Sequence, residues 1–268
     1  MSLRSRLKLP KEHGAWAMFY VPFVLGIFVT GQFNLSVLLL LLASTAMFIS
    51  RESLLVWWRA RKRGRQTQAS IEAGRLLLVY FAIAALTGLP LLLVYRFLWL
   101  VPMCLFGAAL LVLNGWQATD FEDRTVPSEV IAIIGMTMTA PAAYSVANGL
   151  WKPTALWLWV LSAAYFASSV FYVKLRVTEL HAKNPKDKTQ ARWRCVVYHG
   201  FLLAALVVLA VTRSLPFFAL LAFAPVLART AWSLIKPAGQ LNLKRIGIAE
   251  IIYSLIFLIF SILTFRVS

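Results

Sequence analysis

Nine stretches of this chain are apolar over lengths suited to a hydrocarbon bilayer, and that repetition leaves few folds open. They run from Ala15 to Thr30, Leu35 to Trp58, Leu76 to Tyr95, Leu98 to Trp116, Val130 to Ala147, Ala155 to Val173, Val196 to Thr212, Pro216 to Ile235 and Ile246 to Phe265. A helix crosses the hydrocarbon core with about 20 residues. Lipid offers no partner to backbone N–H and C=O groups, so each crossing segment must pair its own as a helix. The expected fold class is therefore all-α: a polytopic integral membrane helical bundle of about nine transmembrane helices, forming a single domain over residues 1–268. Only 14% of the residues are charged and 60% are hydrophobic, far from the balance of a soluble domain. The third and fourth runs are separated by Arg96 and Phe97 alone; Pro90 and Pro102 favour a tight hairpin there, and fusing the two runs would reduce the count to eight.

Orientation follows from the basic residues. All of the 27 Lys and Arg except Arg96, Lys152, Arg213 and Arg266 fall on one side of this ladder, which places the N-terminus in the cytoplasm and the C-terminus across the membrane. The ten acidic residues fall on the same side, although they were not used to set it. The net charge of +17 could suggest nucleic acid, but the cations sit in short segments between apolar runs, so no nucleic-acid partner is expected. Cys104 and Cys195 fall at different depths, and no disulfide is expected between them. The expected location is the inner (cytoplasmic) membrane, with multiple passes and a first helix that is retained.

Candidate functional residues are polar groups that an apolar bundle has no structural reason to carry. The stretch Asn114 to Glu129 concentrates Asp120, Glu122, Asp123 and Glu129 where two runs meet water. Asp120 and Asp123 share a helical face if the fourth helix continues that far, and such a pair can hold Mg²⁺ together with substrate phosphates. The same residues also read as a solvated turn, with Asp123 and Arg124 before Pro127 and with Ser128 and Glu129 starting the next helix. Asn114 lies deeper, and its amide needs a partner. Glu12 and His13 open the first run after Pro10, where they can hold a metal or pass a proton, or simply complement the helix dipole and water. Arg51 and Glu52 are followed by Leu54 to Trp58, so they lie below the surface as a functional pair or as a mutually neutralised one. Lys174, Arg176 and Glu179 end the sixth run, as headgroup contacts or as a substrate clamp. Glu250 is a lone carboxylate inside the last run and calls for a cation, with Arg51, Arg124, Lys174 and Arg176 at its face.

Three further features bear on packing. Ala140, Ala142 and Ala143 in the fifth run and Ala163, Ala164, Ala167, Ser168 and Ser169 in the sixth are small enough for those helices to form a tight central pair. Trp57, Trp58, Trp99, Trp116, Trp151 and Trp193 sit near run ends and read as interfacial anchors. His181 and residues 184–188 read as a mobile loop, and His199 is a single polar group in an apolar run. No Walker loop, dinucleotide fingerprint, Cys-rich metal set or Gly-x-Ser-x-Gly elbow is present, which sets aside the common soluble chemistries.

Pro-Lys-Glu-His-Gly-Ala-Trp at 10–16, Phe-Ile-Ser-Arg-Glu at 48–52, Ser-Glu-Val-Ile-Ala-Ile-Ile-Gly-Met at 128–136, Ala-Pro-Ala-Ala-Tyr at 140–144 and Lys-Arg-Ile-Gly-Ile-Ala-Glu at 244–250 resemble the bacterial YwiC-like membrane family. That resemblance implies a membrane protein and gives weight to Glu12, His13, Arg51, Glu52, Glu129 and Glu250, but implies no reaction. Asp-Phe-Glu-Asp-Arg at 120–124 is similar to the Asp-rich second motif of UbiA-type intramembrane prenyltransferases. This second resemblance implies nine helices, bound Mg²⁺ and an apolar chamber for an isoprenoid tail. Those enzymes place their acidic motifs after helices two and six, where this chain instead carries Ser50, Arg51 and Glu52, and Lys174, Arg176 and Glu179.

The leading expectation is an intramembrane transferase for a lipid or polyprenyl phosphate or diphosphate at the cytoplasmic face. Arg51, Asn114, Arg124, Glu129, Lys174 and Arg176 would contact the substrate, Asp120 and Asp123 would hold Mg²⁺, and Glu12, His13, Glu52 and Glu250 would serve catalysis. An alternative is a transporter in which His13, Glu52, Glu129 and Glu250 relay protons or bind a cation. The third reading is a non-enzymatic membrane assembly protein.

Overall fold

The structure, a computed structural model, describes residues 13–64, 66–119, 126–236 and 243–267. Among these the chain forms ten helices and no strand: α1 (His13–Thr30), α2 (Leu35–Lys62), α3 (Gln68–Leu93), α4 (Leu100–Thr119), α5 (Val126–Thr137), α6 (Thr139–Asn148), α7 (Pro153–His181), α8 (Pro185–Val211), α9 (Phe218–Ile235) and α10 (Leu243–Val267). Eight spans are long and apolar enough to cross a membrane, counting α5 with α6 as one, and the shorter apolar helix Gly14–Thr30 supplies the ninth run. Leu78, Leu86, Leu105, Phe201 and Val211 stand mostly exposed, an outward apolar surface that belongs against lipid rather than water. The chain is an integral, multi-pass membrane protein.

Helix ends depart from the hydropathy boundaries because capping sets them, not the edge of the lipid. Asn34 accepts the Val37 N–H at 3.0 Å to start α2. Thr67 and Ser70 exchange side-chain and backbone hydrogen bonds in a capping box that starts α3 eight residues before its apolar run. Residues 184–188, expected as a mobile loop, are instead the start of α8: Asn184 accepts the Lys186 N–H at 3.0 Å and Pro185 occupies the first turn. The expected hairpin between the third and fourth runs is present. It turns at Arg96 with φ of 56°, and the Phe97 N–H returns to the carbonyl of Leu91 at 3.0 Å.

The chain divides into two compact units, Met1–Trp159 and Val160–Ser268. In the first, Phe23 of α1, Val37 and Leu40 of α2, Leu91 of α3, Phe97 and Leu100 at the hairpin, and Ala143, Val146 and Ala147 of α6 form one buried cluster. The small residues of α6 serve a tight crossing, but with α1: a β-carbon on Gly26 would lie 3.1 Å from Cβ of Ala143. Trp57 and Trp58 are half-buried and take part in packing. They lie against Gly74 of α3 and Gly115 of α4, whose missing side chains make the room.

The fifth run is one span broken in its middle, where Pro141 removes an N–H and crowds the carbonyl of Thr137. Met138 N–H turns to the carbonyl of Gly135, and the carbonyl of Ile134 accepts instead from the Trp159 indole at 3.0 Å. The hydroxyl of Thr139 reaches the carbonyl of Phe19 at 2.8 Å, tying the break to α1. Met138 N–H and the Ile134 carbonyl thus keep partners at the discontinuity, as a non-aqueous surrounding favours.

The second unit is centred on Tyr165 of α7, Phe223 of α9 and Phe257 of α10, all fully buried, with Tyr165 stacked on Phe257 at 4.2 Å between ring centroids. Here the small residues of the sixth run meet α8. The Tyr198 hydroxyl donates to the carbonyl of Ala164 at 2.7 Å, and Ser168 Oγ lies 2.9 Å from His199 Nε2. Within each unit, then, small residues serve a close pairing: those of the fifth run with α1 and those of the sixth with α8.

Candidate functional site

Each unit holds its own polar cluster, built on helices whose remaining surface is apolar. In the first unit the cluster begins at Arg51 and Glu52 of α2, whose side chains are about one-third exposed. Arg51 Nη1 donates to Glu52 Oε1 at 3.0 Å, while Nε and Nη2 both donate to Asn114 Oδ1 at 3.2 and 2.7 Å. Asn114 is buried on α4 and passes the chain on: its Nδ2 donates to the Ser128 carbonyl at 3.1 Å and hydroxyl at 3.3 Å. The partner that the amide requires in lipid is thus divided between two helices.

This geometry changes what Arg51 can offer. With three nitrogens engaged, its guanidinium pins α2 to α4, and through Asn114 to the first turn of α5. Glu129 sits half-buried in that same first turn. Replacing Asn114 with Ala removes both Oδ1 acceptances and both Nδ2 donations from a buried position. The loss is expected to be about 2 kcal/mol, in the range for stranded buried polar groups. Thermal unfolding of the detergent-solubilised protein measures it, and an unchanged midpoint would show that the network carries no stability.

Several expected site residues fall elsewhere. Glu12, Asp120, Asp123 and Arg124 lie outside the described residues; His13 begins α1, but its side chain is likewise outside them. Among the described residues, no three His, Cys, Asp or Glu converge as metal donors. Cys104 and Cys195 are both free thiols. His199 is a packed core group: Nδ1 lies 2.8 Å from the Cys195 carbonyl, and Nε2 lies within reach of the Ser168 and Thr230 hydroxyls at 2.9 and 3.2 Å. All of its hydrogen-bonding capacity is used there.

The cluster of the second unit is a cleft of about 680 Å³ at the basic end of α7, α9 and α10. Its cations are Arg176 of α7, Arg229 of α9 and Lys236 just past α9, and its aromatic walls are Tyr172, Trp232 and Tyr253. Arg176 pairs with Glu179 at 3.5 Å, three residues along the same helix. Lys174 is half-buried on α7. Glu250 does find a cation, and it is one the sequence reading did not assign to it: Arg229 Nη1 donates to Glu250 Oε1. The Arg229 side chain is only 8% exposed, and its guanidinium carbon lies 3.8 Å from the Tyr172 ring centre and 5.1 Å from that of Tyr253. Lys236 Nζ lies 4.2 Å from the ring centre of Trp232.

Arg229 and Lys236 enter the sequence reading only as cations that set orientation. The signal for Arg229 is nonetheless present, because it is the only charged residue between Phe218 and Ile235. It lies six residues before the end of α9, roughly 9 Å along the axis. An ionisable group held that far into an apolar span is costly and marks a functional position by default.

Residues 9–144, about half of the chain, match the family described as YwiC-like protein. No curated protein and no solved structure matches the chain. The similarity to UbiA-type enzymes accordingly rests on the sequence motif alone.

Proposed function

The chain belongs to the YwiC-like protein family, and on that premise we propose that it is an intramembrane transferase acting on the phosphate or diphosphate head of a membrane lipid or isoprenoid at its cytoplasmic face. The observation that supports this reading is the cleft of the second unit, where Arg176, Arg229 and Lys236 share a space with aromatic walls. An anionic head suits the cations and an apolar chain suits the walls. A space of this size is in the usual range for small-molecule sites, about 300–1,000 Å³.

In the proposed transfer, the bond between the chain's carbon and the diphosphate oxygen breaks, and the electron pair leaves with the diphosphate. An acceptor nucleophile forms the new bond to that carbon and gives up its proton to a base. Arg176, Arg229 and Lys236 stabilise the charge that grows on the departing group, the kind of fixed electrostatic help that such a step needs. The candidates for that base are Glu12, His13, Glu52 and Glu250. Lys174 of α7 and Arg124 are the further cations of the proposal, while Arg51, Asn114 and Glu129 order the polar cluster of the first unit. Asp120 and Asp123 are the pair that would hold Mg²⁺, whose chemistry in such a transfer is neutralisation of diphosphate charge.

The test is a strain lacking the protein, complemented with wild type or with the Asp120→Ala/Asp123→Ala double variant, followed by profiling of its lipids and quinones. The double variant is expected to lose the product that wild type restores, by on the order of a hundredfold, the scale of losing an electrostatic catalytic element. A wild-type profile from the double variant removes metal-assisted transfer. One observation favours a second reading, a transporter: the break between α5 and α6 resembles the discontinuous helices that line transport sites. His13, Glu52, Glu129 and Glu250 would then carry protons or a cation, and flux into proteoliposomes separates the two.

A further inference from the structure

The guanidinium of Arg229 is held in a way that leaves one edge without work. Nη1 is engaged by Glu250, and the ring of Tyr172 covers the group at 3.8 Å. Nε and Nη2, which lie side by side on one edge, are buried and have no hydrogen-bond partner among the described residues. Two parallel N–H donors in one plane match the oxygens of a phosphate or carboxylate in bidentate fashion. A buried donor left unmade is costly, so a lipid-embedded helix has reason to fill this edge with an acceptor. Arg176, which lines the same cleft, repeats the pattern in part. Its Nη1 holds Glu179 while its Nε is buried and unpartnered among the described residues.

We infer that the cleft is a receptor for a phosphate or diphosphate group, gripped by the Nε–Nη2 edge of Arg229, with Arg176 Nε as a second donor and Lys236 as a point charge at the rim. Glu250 and Glu179 set the pose: each engages Nη1 of its arginine and leaves the other nitrogens named above for the ligand. The inference rests on the transferase reading and deepens it, because it names Arg229, in the half of the chain beyond the family match, as the residue that recognises the head. Lysine cannot replace it, since an ammonium keeps the charge but not the planar fork.

Two probes separate the possible sources of the anion, farnesyl diphosphate for a chain-bearing head and inorganic pyrophosphate for a free one. Binding to the full-length protein in detergent is followed by quenching of tryptophan fluorescence, Trp232 being in the cleft wall. Wild type is expected to bind farnesyl diphosphate, and Arg229→Lys to weaken it at least tenfold. Ala228→Phe, which fills the exposed side of the cleft without touching the ion pairs, guards against a misfolded Arg229 variant and is expected to weaken binding as much. Equal affinity in wild type and both variants overturns the inference and leaves the transferase reading to other residues. Pyrophosphate bound as tightly as farnesyl diphosphate, and lost in the same variants, supports the receptor but overturns a lipid substrate. No binding of either probe by wild type overturns both.

Discussion

Gly26→Ala is expected to unfold the first unit's packing, lowering stability by about 3 kcal/mol, the upper part of the range for forced overpacking. The added β-carbon would sit 2.5 Å from the Ala140 carbonyl oxygen and 2.8 Å from the Tyr144 nitrogen. Both are backbone atoms of α6, so no side-chain rotation relieves the clash. The helices must separate, and the Thr139 hydroxyl bond to the Phe19 carbonyl separates with them. Gly107→Ala is the matched control: its β-carbon meets nothing within 4 Å, and alanine is the better helix former by about 1 kcal/mol. Size-exclusion profiles and thermal midpoints of the two detergent-solubilised variants should therefore move in opposite directions. A Gly26→Ala protein that behaves like wild type would mean that α1 and α6 do not cross here.

The spans were legible in the sequence because lipid imposes a length and a composition that irregular backbone cannot meet. Helix ends were not, because hydropathy marks where lipid stops while hydrogen bonding continues. Thr67 and Asn184 start helices well outside the apolar runs. The broken fifth span was legible only as Pro141 in an apolar run, and its repair by the Trp159 indole depends on tertiary contact. Partner choice among small residues was likewise hidden, since a stripe of alanines permits a close neighbour without naming one. Gly26 is the residue that names it.

The candidate site divides along the same line. Asn114 announced its need for partners, and Arg51 and Ser128 meet it. Glu250 announced a cation, and the chain offered several. Reading the last two spans as an antiparallel hairpin puts Arg229 and Glu250 at similar depth, each the lone charge of its sign in its apolar run. Hydropathy averages over 18 or more residues and cannot weigh that coincidence, so Arg229 counted only toward orientation.

Glu250→Ala is expected to cost more than the removal of any surface carboxylate, about 3–5 kcal/mol, because it strands a buried arginine rather than deleting one contact. The Arg229 and Glu250 side chains are 8% and 20% exposed, so water reaches neither well enough to replace the lost carboxylate. Glu250→Gln keeps an oxygen acceptor and should lose less. The double variant Arg229→Leu/Glu250→Leu removes both charges and should recover most of the loss, as apolar replacement of buried pairs often does. Thermal midpoints of the single and double variants form a cycle in which the pairwise term is read directly. If the double variant is no more stable than Glu250→Ala, the charges are not coupled and the ion pair contributes little. The same cycle touches the cleft: a bound oxyanion supplies the negative charge that Glu250→Ala removes, so pyrophosphate should raise the midpoint of that variant more than it raises wild type. In Glu250→Ala the anion alone offsets the buried guanidinium charge, whereas in wild type it adds to a charge that Glu250 already offsets.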